Sequence, residues 1–164
     1  PLRESKGHLY EGGIRVPLIV RWPGKVKAGT TSSTPVISMD FYPTFLEVAG
    51  LKLGKKPIDG ESIIPLLRQT GKLQREEIYF HFPNYAWHMD NRLGGAVRSD
   101  NWKLIRNYDD DSLELYDMSK DLSERNNLAE KRPKIAARLN RGLSKWLKET
   151  NAPMPRPAKP LPKK

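Results

Sequence analysis

The strongest constraint on this chain is the hydrophobic pattern of residues 76–150, which alternates like a sheet and then repeats like a helix. Ile78, Phe80 and Phe82 alternate with Glu77, Tyr79 and His81, the period of a strand with two different faces. Ala96 to Arg98, Trp102 to Asn107 and Leu113 to Tyr116 are three more short strand candidates. Ser99-Asp100-Asn101 and Asp109-Asp110-Asp111 are hairpin turn signals between them. From 131 to 150 the period becomes helical. Ile135, Leu139, Leu143, Trp146 and Leu147 form one apolar stripe, while Lys134, Arg138, Arg141, Lys145 and Lys148 fall on another face. Pro133 suits the first turn of such a helix. The spacing predicts a four-stranded antiparallel sheet packed on one long C-terminal helix, an α+β unit over 74–150.

Residues 1–73 read differently. Arg15 to Trp22 (RVPLIVRW) predicts a buried strand ended by Pro23-Gly24. Val36-Ile37 predicts a short strand. Ser38 or Asp40 then caps a helix running to about Ala49, with Pro43 in its first turn. Asp59 to Gln69 predicts a short helical turn interrupted by Pro65. A strand as apolar as RVPLIVRW belongs in a larger α/β sheet, so 1–73 reads as the end of something else.

Charge and composition narrow the classes. Of 164 residues, 37% are hydrophobic and 29% charged, and none is Cys. Disulfides, thiolate metal sites and a Cys nucleophile within the chain are thereby excluded. No apolar run is long enough for a membrane span, and no signal-peptide pattern is visible. The net charge of +10 points first to a polyanion. Its location changes that. Residues 1–130 hold 18 basic and 18 acidic side chains, while 131–164 hold 11 basic ones against Glu149 alone. Residues 151–164 carry five prolines and predict an extended Pro/Lys-rich tail. Without interleaved aromatics or a nucleic-acid motif, this end reads as a solvated helix face with a basic tail rather than a nucleic-acid site.

The densest chemical signal is Lys6-Gly7-His8-Leu9-Tyr10-Glu11-Gly12-Gly13-Ile14-Arg15-Val16-Pro17. Paired glycines let backbone approach a ligand or another loop closely. Lys6, His8, Glu11 and Arg15 around them fit either an anion site or a structural glycine turn with Glu11 paired to Arg15. The triplet Asp109–Asp111 has calcium-ligand chemistry but sits where a hairpin turn is expected. Asp117, Asp121 and Glu124 suit turns and caps.

KGHLYEGGIRVPLIVRWPG closely resembles the late signature K-G-x-x-x-E-G-G-x-R-x-P, strand, W-P-G of the sulfatase family. PVISMDFYPTFLEVAG, DGESIIPLL, REEIYFHFPNY, GAVRSDNWKLI and LELYDMSKDLSERNNLA resemble later segments of that family, in order. The resemblance covers about 1–150. It implies an alkaline-phosphatase-like α/β fold, with 1–73 the end of the catalytic domain, 74–150 a C-terminal subdomain and 151–164 a tail. It also implies hydrolysis of sulfate esters by a formylglycine nucleophile, made from a C/S-x-P-x-R motif, beside a divalent metal, usually calcium. Neither that motif nor the metal-binding D-N pair occurs in this chain. The resemblance therefore implies the C-terminal part of a larger enzyme, with no metal ligand of its own and inactive alone. Its partners would be the N-terminal part of the same enzyme and a sulfated small molecule or carbohydrate, with no membrane or nucleic acid. Family habit implies export to the periplasm or cell exterior.

Lys6 occupies the position of the family's sulfate-contacting lysine, so the resemblance makes it the catalytic and substrate-contacting residue. Glu11, Gly12, Gly13 and Arg15 would hold its loop in shape. His81, Asn84 and Tyr85 could read the organic part of the substrate at the pocket rim, with His88 a weaker candidate. Two other classes fit parts of the pattern: a related phosphodiesterase or phosphonate hydrolase, and a non-catalytic polyanion-binding module using the basic helix.

Overall fold

The computed structural model describes residues 1–84 and 90–156. Its elements are α1 (Glu11–Ile14), α2 (Phe41–Val48), α3 (Ile64–Leu67), β1 (Glu77–Phe82), β2 (Gly94–Ser99), β3 (Trp102–Asn107), β4 (Leu113–Asp117) and α4 (Pro133–Glu149). Their contacts divide them into two compact units. One joins Pro1–Val16 to the chain from Glu77 onward, and the other is Pro17–Glu76.

The first unit is built on an antiparallel sheet of order β1-β2-β3-β4. The register places Val97 opposite Leu104, and Leu104 opposite Leu115. Alternation then sends these three side chains to one face. There they meet Ala136, Leu139, Leu143 and Leu147 of α4. Leu139 and Leu143 are fully buried, each stabilising the fold by about 1.5–3 kcal/mol. Tyr79 stacks on Trp146 at 5.1 Å between ring centroids. α4 begins at Pro133, whose missing N–H costs nothing in a first turn. It ends where Asn151 turns left-handed (φ 49°) and Ala152 N–H donates to the Leu147 carbonyl.

The other face of the sheet carries Ala96, Ile105 and Tyr116, which are buried with Leu9 and Met118. The covering Leu9 and Tyr10 come from the N-terminal segment. The sequence pattern provides a cover for one face only. The second cover is the glycine-rich motif itself, so within this chain residues 1–16 pack with 77 onward rather than with 17–73.

The second unit is organised by Asp40, which is fully buried after a short 3-10 turn. Its carboxylate accepts from Ile37 N–H (2.9 Å) and Glu61 N–H (3.0 Å) and takes both guanidinium nitrogens of Arg75, at 2.6 and 2.8 Å. Thr44 Oγ1 donates to the Asp40 carbonyl and accepts from Ile63 N–H. One aspartate thus ties the start of α2 to the Asp59–Ile64 segment.

Three local expectations are corrected. Arg15–Trp22 is not a strand here. No strand among the described residues pairs with it, and Val16 and Ile19 are 81% and 89% exposed. A single apolar run has no ladder without a neighbour. Val36-Ile37 forms no strand either, because the Ile37 N–H is spent on Asp40. Pro65 sits in the first turn of α3 rather than interrupting a longer helix, since a first-turn residue needs no N–H partner.

Candidate functional site

The motif loop is shaped from both ends by backbone contact. Gly12 N–H donates to the Arg3 carbonyl (2.9 Å), and His8 N–H to that of Ser5 (3.2 Å). A Cβ on Gly12 would collide with the carbonyl oxygens of Arg3 and Glu4, and one on Gly13 with those of His8 and Ser5. Gly7 takes φ 99°, which side chains disfavour. The paired glycines are therefore the mould against which residues 3–8 are pressed. Lys6 projects from this moulded loop and is exposed. Among the described residues no hydrogen bond or ion pair holds its ammonium.

Beneath the loop lies a buried charge cluster. Alternation along β3 turns Lys103 to the same face as Ile105, and Lys103 is fully buried. Its ammonium donates to Glu11 Oε1 at 3.0 Å. It also lies 2.8 Å from Glu124 Oε1, a second ion pair. Glu124 Oε2 accepts the Glu11 N–H at 2.6 Å. Burial pushes the Glu124 carboxyl above its ordinary value, and the Lys103 charge only partly offsets it. Arg98, opposite Lys103 in register, is a second cation near Glu11. A buried charge is tolerable only when paired in this way. Arg15 completes the group through Glu11 Oε2 at 3.3 Å.

A second cluster fixes the start of the loop. The Arg3 guanidinium lies over the Tyr10 ring, 3.8 Å from its centroid. It donates to Tyr116 Oη and to the Glu124 carbonyl, both at 3.0 Å. Tyr10 and Tyr116 both donate to Glu114. Burial and that carboxylate push both phenols well above the ordinary range.

The structure does not bring the other sequence candidates to Lys6. His81 lies on the α4 side of the sheet, the face opposite the motif loop. Its Nε2 meets the Pro153 carbonyl at 3.0 Å, which can only accept, and Nδ1 meets Tyr108 Oη at 2.7 Å. Both ring nitrogens are thus engaged within the chain. Asn84 is exposed in a bend just after β1. Tyr85 and His88 lie outside the described residues. Asp109 and Asp110 pair with Arg92, and Asp111 with Arg106 at 2.6 Å. Hydrogen bonds from Ser112, with Arg92, hold Asp110 down to about 2. The triplet is an arginine-neutralised turn. Asp121 accepts from the Arg125 and Asn126 N–H groups and serves a turn as expected. Lys103 was not singled out by sequence reasoning, and Glu124 only as a turn residue. The available signal was a lysine at an inward position of an apolar strand.

Comparison with known proteins shows the family. The family described as N-sulphoglucosamine sulphohydrolase, C-terminal, matches residues 5–152. A sulfatase of Formosa agariphila is 39% identical over 93% of this chain and 30% of its own length. An N-acetylglucosamine-6-O-sulfatase of Bacteroides thetaiotaomicron is 39% identical over 76% of this chain and 23% of its own. A solved structure of a protein in complex with its substrate D-glucosamine-2-N,6-O-disulfate superposes with TM-score 0.70 at 34% identity, covering 82% of this chain and 29% of that one. The chain thus spans less than a third of these relatives. It has the sheet and C-terminal helix of a sulfatase's C-terminal subdomain, after the end of its α/β domain. The chain belongs to the N-sulphoglucosamine sulphohydrolase C-terminal family and is the C-terminal portion of a sulfatase.

Proposed function

We propose that this chain completes the sulfate pocket of an exported sulfatase acting on sulfated carbohydrate, and that Lys6 is its contribution to the chemistry. The observation that carries this reading is the exposed, unpaired Lys6 ammonium on a loop fixed at both ends. A mobile cation on a rigid base can approach a sulfate oxygen and neutralise charge on it, or on the bridging oxygen, as the ester breaks. Two of the relatives are named for, or bound to, sulfated glucosamines, which supports carbohydrate as the substrate class. Asn84 and Tyr85 follow β1 and are proposed to meet the organic part at the rim. His81 anchors that segment from the α4 side.

In this reading the formylglycine nucleophile and a divalent metal belong to the N-terminal part of the enzyme. Among the described residues no group of three or more His, Asp or Glu side chains could hold a metal. Glu11 and Glu124 are already engaged by Lys103. Among the described residues the acidic groups around the loop do not fit a resident metal.

The test is Lys6→Ala and Lys6→Arg in the full-length sulfatase, with sulfate release measured from glucosamine 6-sulfate and an aryl sulfate. Lys6→Ala should lower kcat by about 10²–10³-fold, with partial recovery in Lys6→Arg. Activity of Lys6→Ala within about twofold of wild type, on the noise scale of a surface change, would remove Lys6 from the pocket. Turnover of a phosphonate monoester in preference to any sulfate ester would replace the substrate class.

A further inference from the structure

We infer that Glu124, in the block LYDMSKDLSERNNLA far along the chain from the glycine motif, is the positioning residue for Lys6. The inference rests on the reading of Lys6 given above. The loop that carries Lys6 lies between Arg3 and Glu11, with Leu9 and Tyr10 already packed on the sheet. Both ends, Arg3 and Glu11, are held by Glu124. At one end, Arg3 donates to the Glu124 main-chain carbonyl at 3.0 Å. At the other, Glu11 N–H donates to the Glu124 carboxylate at 2.6 Å, and Lys103 bridges the two carboxylates at 3.0 and 2.8 Å. One residue, fully buried, thus uses its backbone and its side chain to set the distance between the two feet of the loop. Gly12 and Gly13, which mould residues 3–8, follow Glu11 directly and so inherit their place from Glu124.

The conformation of Glu124 fits that task. Its backbone is left-handed (φ 53°), a state that a non-glycine residue keeps only where its surroundings over-determine it. The turn beneath it is fastened by Glu124 N–H to the Asp121 carbonyl, and by Arg125 and Asn126 N–H to the Asp121 carboxylate. Among the described residues no hydrogen bond or ion pair joins Glu124 to the exposed Lys6 side chain. Glu124 acts through the loop.

The experiment is a double-mutant cycle in the full-length sulfatase, with Glu124→Gln, Lys6→Ala and the pair. Sulfate release gives kcat and KM, amide hydrogen exchange follows residues 3–13, and thermal melting follows the whole protein. Glu124→Gln keeps the shape but removes the charge that faces Lys103. The expected result is a loss of about 10- to 100-fold in kcat, with KM near wild type. Exchange should quicken at 3–13 while the rest of the protein keeps its protection. On the Lys6→Ala background, Glu124→Gln should cost no further activity. An equal loss on both backgrounds would overturn the inference, as would unchanged kcat or a loss that merely follows global melting. If Glu124→Gln does not fold, Arg3→Gln removes the guanidinium that reaches the Glu124 carbonyl, together with its contacts to Tyr116, Tyr10 and Glu114, and the same cycle is read with it. Wild-type activity in Lys6→Ala defeats the reading of Lys6 instead, and loop exchange in Glu124→Gln then still decides whether Glu124 holds the loop.

Discussion

At the scale of single residues, the motif glycines have opposing local and tertiary demands. Gly12 lies inside α1, where Ala would be favoured by about 1 kcal/mol from helix propensity. The carbonyl oxygens of Arg3 and Glu4 occupy the space its Cβ would need. Overpacking of that kind costs about 1–3 kcal/mol. Gly12→Ala should therefore destabilise the protein, measured as a lower urea midpoint with unchanged slope. A higher midpoint would show that propensity, not the mould, governs this position. The residues of KGHLYEGGIRVP were legible as a motif, and Lys6 with them. Lys103 and Glu124 were not, because a charge becomes structural only when the fold buries it, and burial is invisible in a single strand's composition.

At the scale of elements, strands and helices followed their periods wherever the chain supplies its own partner. The four strands and α4 fall within a few residues of expectation, since the stripe of α4 and one apolar face of the sheet meet each other within 77–150. Where the partner is absent the period misleads, as Arg15–Trp22 shows. The start of α2 is instead ruled by one charge. Burial by itself would raise the Asp40 pKa, but hydrogen bonds from Arg75 and from Ile37 and Glu61 N–H outweigh it, and the net shift is downward. A carboxyl whose folded pKa is depressed contributes stability that is full above its unfolded value and lost as pH falls through the folded one. Stability should therefore decline on acidification below about pH 4, and the decline should be shallower in Asp40→Asn. Melting temperatures of the two proteins between neutral pH and strong acid read this directly. Parallel curves would assign the acid sensitivity to other groups.

At the scale of the whole molecule, the chain exposes apolar surface in Val16, Ile19, Phe45 and Tyr42, at 81%, 89%, 66% and 56%. Scattered exposure is ordinary, but the exposed run from Leu18 to Val20 and the exposed face of α2 formed by Tyr42, Phe45 and Val48 are each more than that. The sulfatase relatives are more than three times the length of this chain's match in them. We predict that the 164-residue chain alone binds the dye ANS and releases no sulfate from an aryl ester. The full-length sulfatase should turn over the ester and bind the dye weakly. Sulfate release by the purified chain, or absence of dye binding, would contradict this.

What the sequence alone determined is whatever depends on neighbours along the chain. That covers the alternation of four strands, the stripe of α4, the location of the +10 charge and the order of the sulfatase blocks. Only the tertiary structure decided which residues meet across it. It put Glu124 beneath Glu11, 113 positions away, and set His81 on the face opposite Lys6. It also made Lys103 a buried counter-ion rather than a surface lysine. The physical reason is that periodicity says which face a side chain takes, while the sheet register and the loops laid on it set what waits there.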